Sequence, residues 1–131
     1  MSWLHYLENA EFIESIYSQP PSLDDVRVLE VRLRQDGPTV SVRFNLNSFP
    51  DNPPPKWIAG EFNRAQLTLV LIAVTDISIR GWNVDNIGNM KLTRDDTGVL
   101  LNFVGSATQI ECRAQFVDGE NLSGYCDSTL P

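Results

Sequence analysis

Thr39-Val40-Ser41-Val42-Arg43-Phe44-Asn45-Leu46 alternates residue by residue between polar and apolar side chains. Val40, Val42, Phe44 and Leu46 fall on one side, and Thr39, Ser41, Arg43 and Asn45 on the other. A period of two over eight residues is the signature of a β-strand with one buried face. Immediately upstream, Asp36-Gly37-Pro38 carries the residue types of a tight turn. Before it, Val26–Leu33 reads as a second strand, with Arg27, Glu30 and Arg32 interleaved and Arg34 following. The two predict a β-hairpin, and the rest of the chain is read outward from it.

Downstream comes Phe49-Pro50-Asp51-Asn52-Pro53-Pro54-Pro55-Lys56-Trp57. Proline lacks the ladder N–H, so this stretch predicts a stiff extended loop that delivers Trp57 to the core. Gln66–Val74 is apolar on both faces, which predicts a central strand. Asp76–Trp82, Met90–Thr93, Val99–Val104 and Gln109–Val117 complete the strand set, with turns at Asp95-Asp96-Thr97-Gly98 and Gly105-Ser106. Gly124-Tyr125 suggests a last short strand. Upstream of the hairpin, Phe12, Ile13, Ile16 and Tyr17 lie at helical spacing, Asn9 is a capping residue type, and Pro20-Pro21 ends the pattern. That predicts one short helix near 9–17, with Glu11 and Glu14 facing water. The fold class is α+β, mainly β. About seven strands form a largely antiparallel curled sheet or sandwich with one short N-terminal helix, in a single domain over residues 1–131.

Composition bounds the function. The chain has 131 residues, 42% of them hydrophobic, enough for a core without metal or disulfide staples. Its longest strictly apolar run is Leu69–Val74, far short of the ~18 residues of a membrane span. Residues 1–8 carry no Lys or Arg and no long apolar stretch, unlike a secretion signal. The expectation is a soluble, cytoplasmic protein that engages no membrane. Cys112 and Cys126 are then free thiols, Cys112 on the apolar face of its strand. The net charge is −7 and is unevenly placed. Residues 1–25 hold Glu8, Glu11, Glu14, Asp24 and Asp25 and no base; residues 114–131 hold Asp118, Glu120 and Asp127 and no base. The middle is close to neutral. If the two ends meet, they form one negative patch that repels nucleic acid and steers basic partners.

Little chemistry is on offer. The only histidine, His5, lies near the N-terminus, and no pattern supplies a Ser–His or Cys–His pair. Metal-ligand spacing is absent, and Asp95-Asp96-Thr97-Gly98 reads as a turn. There is no glycine-rich phosphate loop and no basic stripe for nucleic acid. The sequence therefore predicts no catalytic residue, no cofactor and no metal. Binding is better served. Trp82, flanked by Asn83, Asp85 and Asn86, is the aromatic residue best placed for exposure. The competing reading is a small-molecule-binding or enzymatic β-barrel, with Trp57, Trp82 and Phe103 lining an enclosed cavity.

The order of features also carries a family likeness. Trp3 comes first, then Ile16-Tyr17-Ser18-Gln19-Pro20-Pro21-Ser22-Leu23, then an acidic pair leading into Val26–Leu33. Phe49-Pro50 is followed by Pro54-Pro55-Lys56-Trp57, an Ile77-x-Ile79-x-Gly81-Trp82 strand and Gly124-Tyr125. This layout resembles the immunity protein 50 family of bacterial polymorphic toxin systems, used in competition between bacteria. The resemblance implies a non-enzymatic toxin inhibitor that binds a co-encoded toxin, often a basic nuclease. It carries over no binding residues. The charge pattern nominates Glu8, Glu11, Glu14, Asp24, Asp25, Asp118 and Glu120 as partner-binding residues, with Trp82 and Asp85 beside them. Neither the toxin's chemistry nor the oligomeric state is fixed by the sequence.

Overall fold

The computed structural model describes residues 2–129. Six antiparallel strands close into a barrel: β1 (Val26–Arg34), β2 (Thr39–Asn45), β3 (Arg64–Arg80), β4 (Asn86–Asp95), β5 (Gly98–Gly105) and β6 (Gln109–Tyr125). Their spatial order is β1-β2-β3-β6-β5-β4, with β4 returning to β1. The predicted β1–β2 hairpin forms, and its register runs from Arg34 opposite Thr39 to Arg27 opposite Asn45. Its alternation places Val40, Val42 and Phe44 inside. They meet Leu67, Leu69 and Leu71 of β3, and the far wall adds Leu101, Phe103, Ile110 and Cys112, all fully buried. The interior is packed side chain, as in other small barrels.

Six strands stand where about seven were predicted, because two predicted pairs are single strands. Gln66–Val74 and Asp76–Trp82 belong to one 17-residue β3, and Gly124-Tyr125 is the end of a 17-residue β6. β3 bends at Ala73, which has φ +58°, and its register against β6 shifts between Val74 and Asp76. Such bulges change which parity faces the core. Leu67, Leu69 and Leu71 point inward before the bend; Val74 and Ile77 pack on the core after it. The stretch looked apolar on both faces because Val70 and Ile72 sit half-buried outside while Val74 has switched sides.

The N-terminal segment runs beside β6, with Leu7 bridging in parallel to Val117 and the Glu8 N–H donating to the Val117 carbonyl at 2.9 Å. It comprises a 3₁₀ turn (Trp3–Tyr6) and α1 (Glu11–Ile16). Two details differ from expectation. Asn9 does not cap α1; its Oδ1 accepts from the Gly119 N–H at 3.0 Å, and Ala10 holds the cap position with no side-chain bond. Ile13, Ile16 and Tyr17 are buried as predicted, but Phe12 is half exposed, since a six-residue helix has room for only a narrow apolar stripe.

The proline loop delivers Trp57 to the core as predicted, within a second helix, α2 (Pro55–Ala59), that the sequence reading missed. Pro55 sits at the first helical turn, where a missing N–H costs nothing. Trp57 packs against Phe49 and Phe62 with ring centroids 5.9 and 6.5 Å away. Beneath it lies Gly124, where a Cβ would stand 2.7 Å from the indole.

Candidate functional site

β3 ends at Arg80, and the chain turns through residues 81–85 into β4. Gly81 takes φ +71°, and a Cβ there would lie 1.8 Å from the Ala107 carbonyl oxygen, so no other residue fits. Two buried polar residues hold this loop. The Thr108 hydroxyl lies 2.6 Å from the Gly81 carbonyl and 2.7 Å from Asn86 Oδ1. The Asn86 side chain in turn donates to the Asn83 carbonyl at 2.7 Å and accepts from the Asn83 N–H at 3.0 Å. Thr108 and Asn86 are 1% and 3% exposed, a buried and satisfied network that fixes one loop shape. What the network presents is apolar: Trp82 is 49% exposed and Val84 86%. Asp85 beside them is paired with Arg27 at 2.9 Å. Trp82 borders an open cleft of about 520 Å³ with Leu29, Glu30, Val31 and Ile79.

The acidic residues fall into separate places. Where the N-terminal segment runs along β6, Glu8 bonds through its N–H to Val117 and lies close enough for its charge to act on Asp118. Burial pushes the Asp118 carboxyl above the ordinary carboxylate range, and the Glu8 charge adds to it. Asp118 Oδ1 is buried with no hydrogen-bond partner among the described residues. Glu11 lines a cleft with Gly119 and Asn121, while Glu120 lines a separate cleft with Asn121 and three arginines, Arg32, Arg34 and Arg43. Glu14 lines a different cleft, with His5, Tyr17 and Ser18. Asp24 and Asp25 lie at the start of β1, where the Asp25 N–H donates to Asn89 of β4. Asp127 is pinned by Arg64 at 3.3 Å. The structure thus couples Glu8 to Asp118 and sets Glu11 beside the neighbouring Gly119, whereas Glu120 lies in a cleft lined by Arg32, Arg34 and Arg43. It places Asp24, Asp25, Asp85 and Trp82 around the β1–β4 junction.

Among the described residues no reacting constellation assembles around these groups. His5 is exposed on the 3₁₀ turn. Asp95 is turn chemistry, as read: its carboxylate accepts from Thr97 and Arg113 and is held down at about 2 by those bonds. Among the described residues no three His, Cys, Asp or Glu side chains gather as a metal site, and no helix is long and apolar enough to cross a membrane. Burial pushes the Cys112 thiol up to about 12; Cys126 is an exposed free thiol. Trp57, Trp82 and Phe103 do not share a cavity. Trp57 packs with Phe49 and Phe62, Phe103 is sealed in the barrel core, and Trp82 lies at the surface.

The family model for immunity protein 50 matches residues 9–125. The chain belongs to the immunity protein 50 family. The match takes in α1, α2 and all six strands, so the barrel is this family's scaffold on this chain. No curated protein and no solved structure matches. On this immunity-family barrel the sequence reading found Trp82 but missed its neighbours Leu29, Val31 and Ile79. They come from distant segments and carried no mark beyond strand alternation.

Proposed function

We propose that this immunity protein binds and neutralises a cognate bacterial toxin by direct contact through its acidic surface, and transforms nothing itself. Family membership over residues 9–125 supports the class of function. The seam of Glu8 and Asp118 supports the acidic mode. Two like charges held together, one carboxyl oxygen buried and unpartnered, are a standing cost to the fold. A basic side chain from a partner relieves that cost, so the seam is poised for a cationic surface such as a nuclease groove. Glu11 extends the seam, while Glu14, Asp24, Asp25 and Glu120, the last in a cleft it shares with Arg32, Arg34 and Arg43, supply longer-range steering.

The test is toxin protection by a variant with Glu8, Glu11 and Glu14 changed to Gln, together with the salt dependence of its binding to the co-encoded toxin. The proposal expects weaker protection and a flatter salt dependence. Protection and salt dependence both unchanged reject the acidic seam.

A further inference from the structure

β1 is covered along only part of its length. β4 pairs with it at Val26, Arg27 and Val28, and there the pairing stops. β2 continues on the other side to Arg34, skipping Leu29, which forms a bulge. Burial follows the coverage: Val26 and Val28 are buried, Leu29 to Val31 half-buried, and Arg32 to Arg34 exposed. No backbone group of Leu29–Arg34 bonds outward from this edge among the described residues. An uncovered edge of about five residues has the length of an ordinary strand and invites another to pair with it. Beside it lies the apolar cleft of Leu29, Val31, Ile79 and Trp82, and Leu33 is 57% exposed.

We propose that this edge joins a second copy of the chain, β1 to β1, antiparallel about a two-fold axis at Val31. The sequence of the edge argues for this occupant. A two-fold through the sheet keeps inward side chains opposite inward ones only when it passes through a residue. Centred on Glu30, it sets Glu30 against Glu30. Centred on Arg32, it sets Arg32 against Arg32. Centred on Val31, it sets Glu30 opposite Arg32 twice, Leu29 opposite Leu33 twice and Val31 opposite itself. Opposite charges directly across an antiparallel pair stabilise it, and like charges oppose it. This register spans Leu29–Leu33, the length that β4 leaves free, since Arg34 opposite Val28 would collide with the β4 pairing. Glu30 is available for the exchange. Its present ion pairs with Arg32 and Arg43 are long, 3.6 and 3.7 Å, and all three side chains are exposed by a third or more. Trp82 of each copy then closes over the joined seam.

The account predicts a reversible dimer, because a five-residue ladder with one apolar cleft is a small interface. Sedimentation velocity on the full chain over a range of concentrations reads it, with circular dichroism confirming that each variant is folded. The wild type shifts from monomer toward twice the mass as concentration rises. Glu30→Arg alone and Arg32→Glu alone each remain monomeric, since each sets like charges opposite. An equimolar mixture of these two variants regains the dimer, because each now complements the other. A wild type that stays monomeric throughout overturns the proposal. So does a dimer indifferent to both reversals, or a mixture that does not reassociate. If the wild type is monomeric and Arg32→Glu loses toxin binding instead, the edge belongs to the toxin and the self-pairing is wrong.

Discussion

Trp57 and Trp82 stand near opposite ends of β3 and have opposite fates. Trp57 is 8% exposed, wedged among Phe49, Phe62 and Gly124. Trp82 is 49% exposed, although the loop carrying it is fixed by the buried side chains of Thr108 and Asn86. One indole is packing. The other is presentation: the chain invests a satisfied buried network in holding an apolar side chain out in water. Flexible loops expose tryptophan by accident, but a pinned one keeps it available at little entropic cost to a partner.

Four substitutions sharpen or break this contrast. Trp57→Ala removes a fully packed aromatic and is expected to destabilise by about 3–5 kcal/mol in chemical denaturation. Gly81→Ala meets the Ala107 carbonyl at a left-handed backbone position and is expected to lose about 2 kcal/mol or more, with Trp82 fluorescence altered. Thr108→Val leaves the Gly81 carbonyl and Asn86 without their hydroxyl; about 1–2 kcal/mol and faster hydrogen exchange across residues 81–86 are expected. Trp82→Ala is expected to cost less than about 1 kcal/mol. A loss as large as that of Trp57→Ala breaks the contrast and makes Trp82 a core residue.

The smallest effect has the opposite sign. Asp118 titrates above the ordinary carboxylate range in the folded protein, so the folded state holds its proton more tightly than the unfolded state does. Stability therefore falls as pH rises through the interval between the ordinary value and the raised one, and the cost is full above it. Asp118→Asn is expected to raise stability slightly at neutral pH and to flatten that slope, read by thermal unfolding at several pH values.

The hairpin was legible in the sequence because nothing interrupts its period of two from Thr39 to Leu46. β3 was not, because it bends at Ala73 and shifts register between Val74 and Asp76, and an alanine with positive φ gives no sequence warning. The same parity switch turned one strand into two on paper. α2 was hidden by its prolines, which read as a break although Pro55 suits a first helical turn. Asn9 had the right chemistry for a cap and spent it on Gly119 instead, a choice made by tertiary packing. At the surface, Trp82 was legible from its polar neighbours. The meeting of Glu8 with Asp118 was legible only as a guess that the two acidic ends approach. Leu29, Val31 and Ile79 were not, since only the folded barrel brings them to the indole.

The central claim is contact through the acidic seam, and calorimetric titration against the purified co-encoded toxin tests it most directly. The comparison is between the wild type and a Glu8→Gln, Asp118→Asn double variant at low and moderate salt. The account predicts at least a tenfold weaker Kd for the variant at low salt and a gap that narrows as salt rises. Equal affinity at both salt concentrations, with the variant folded, contradicts it.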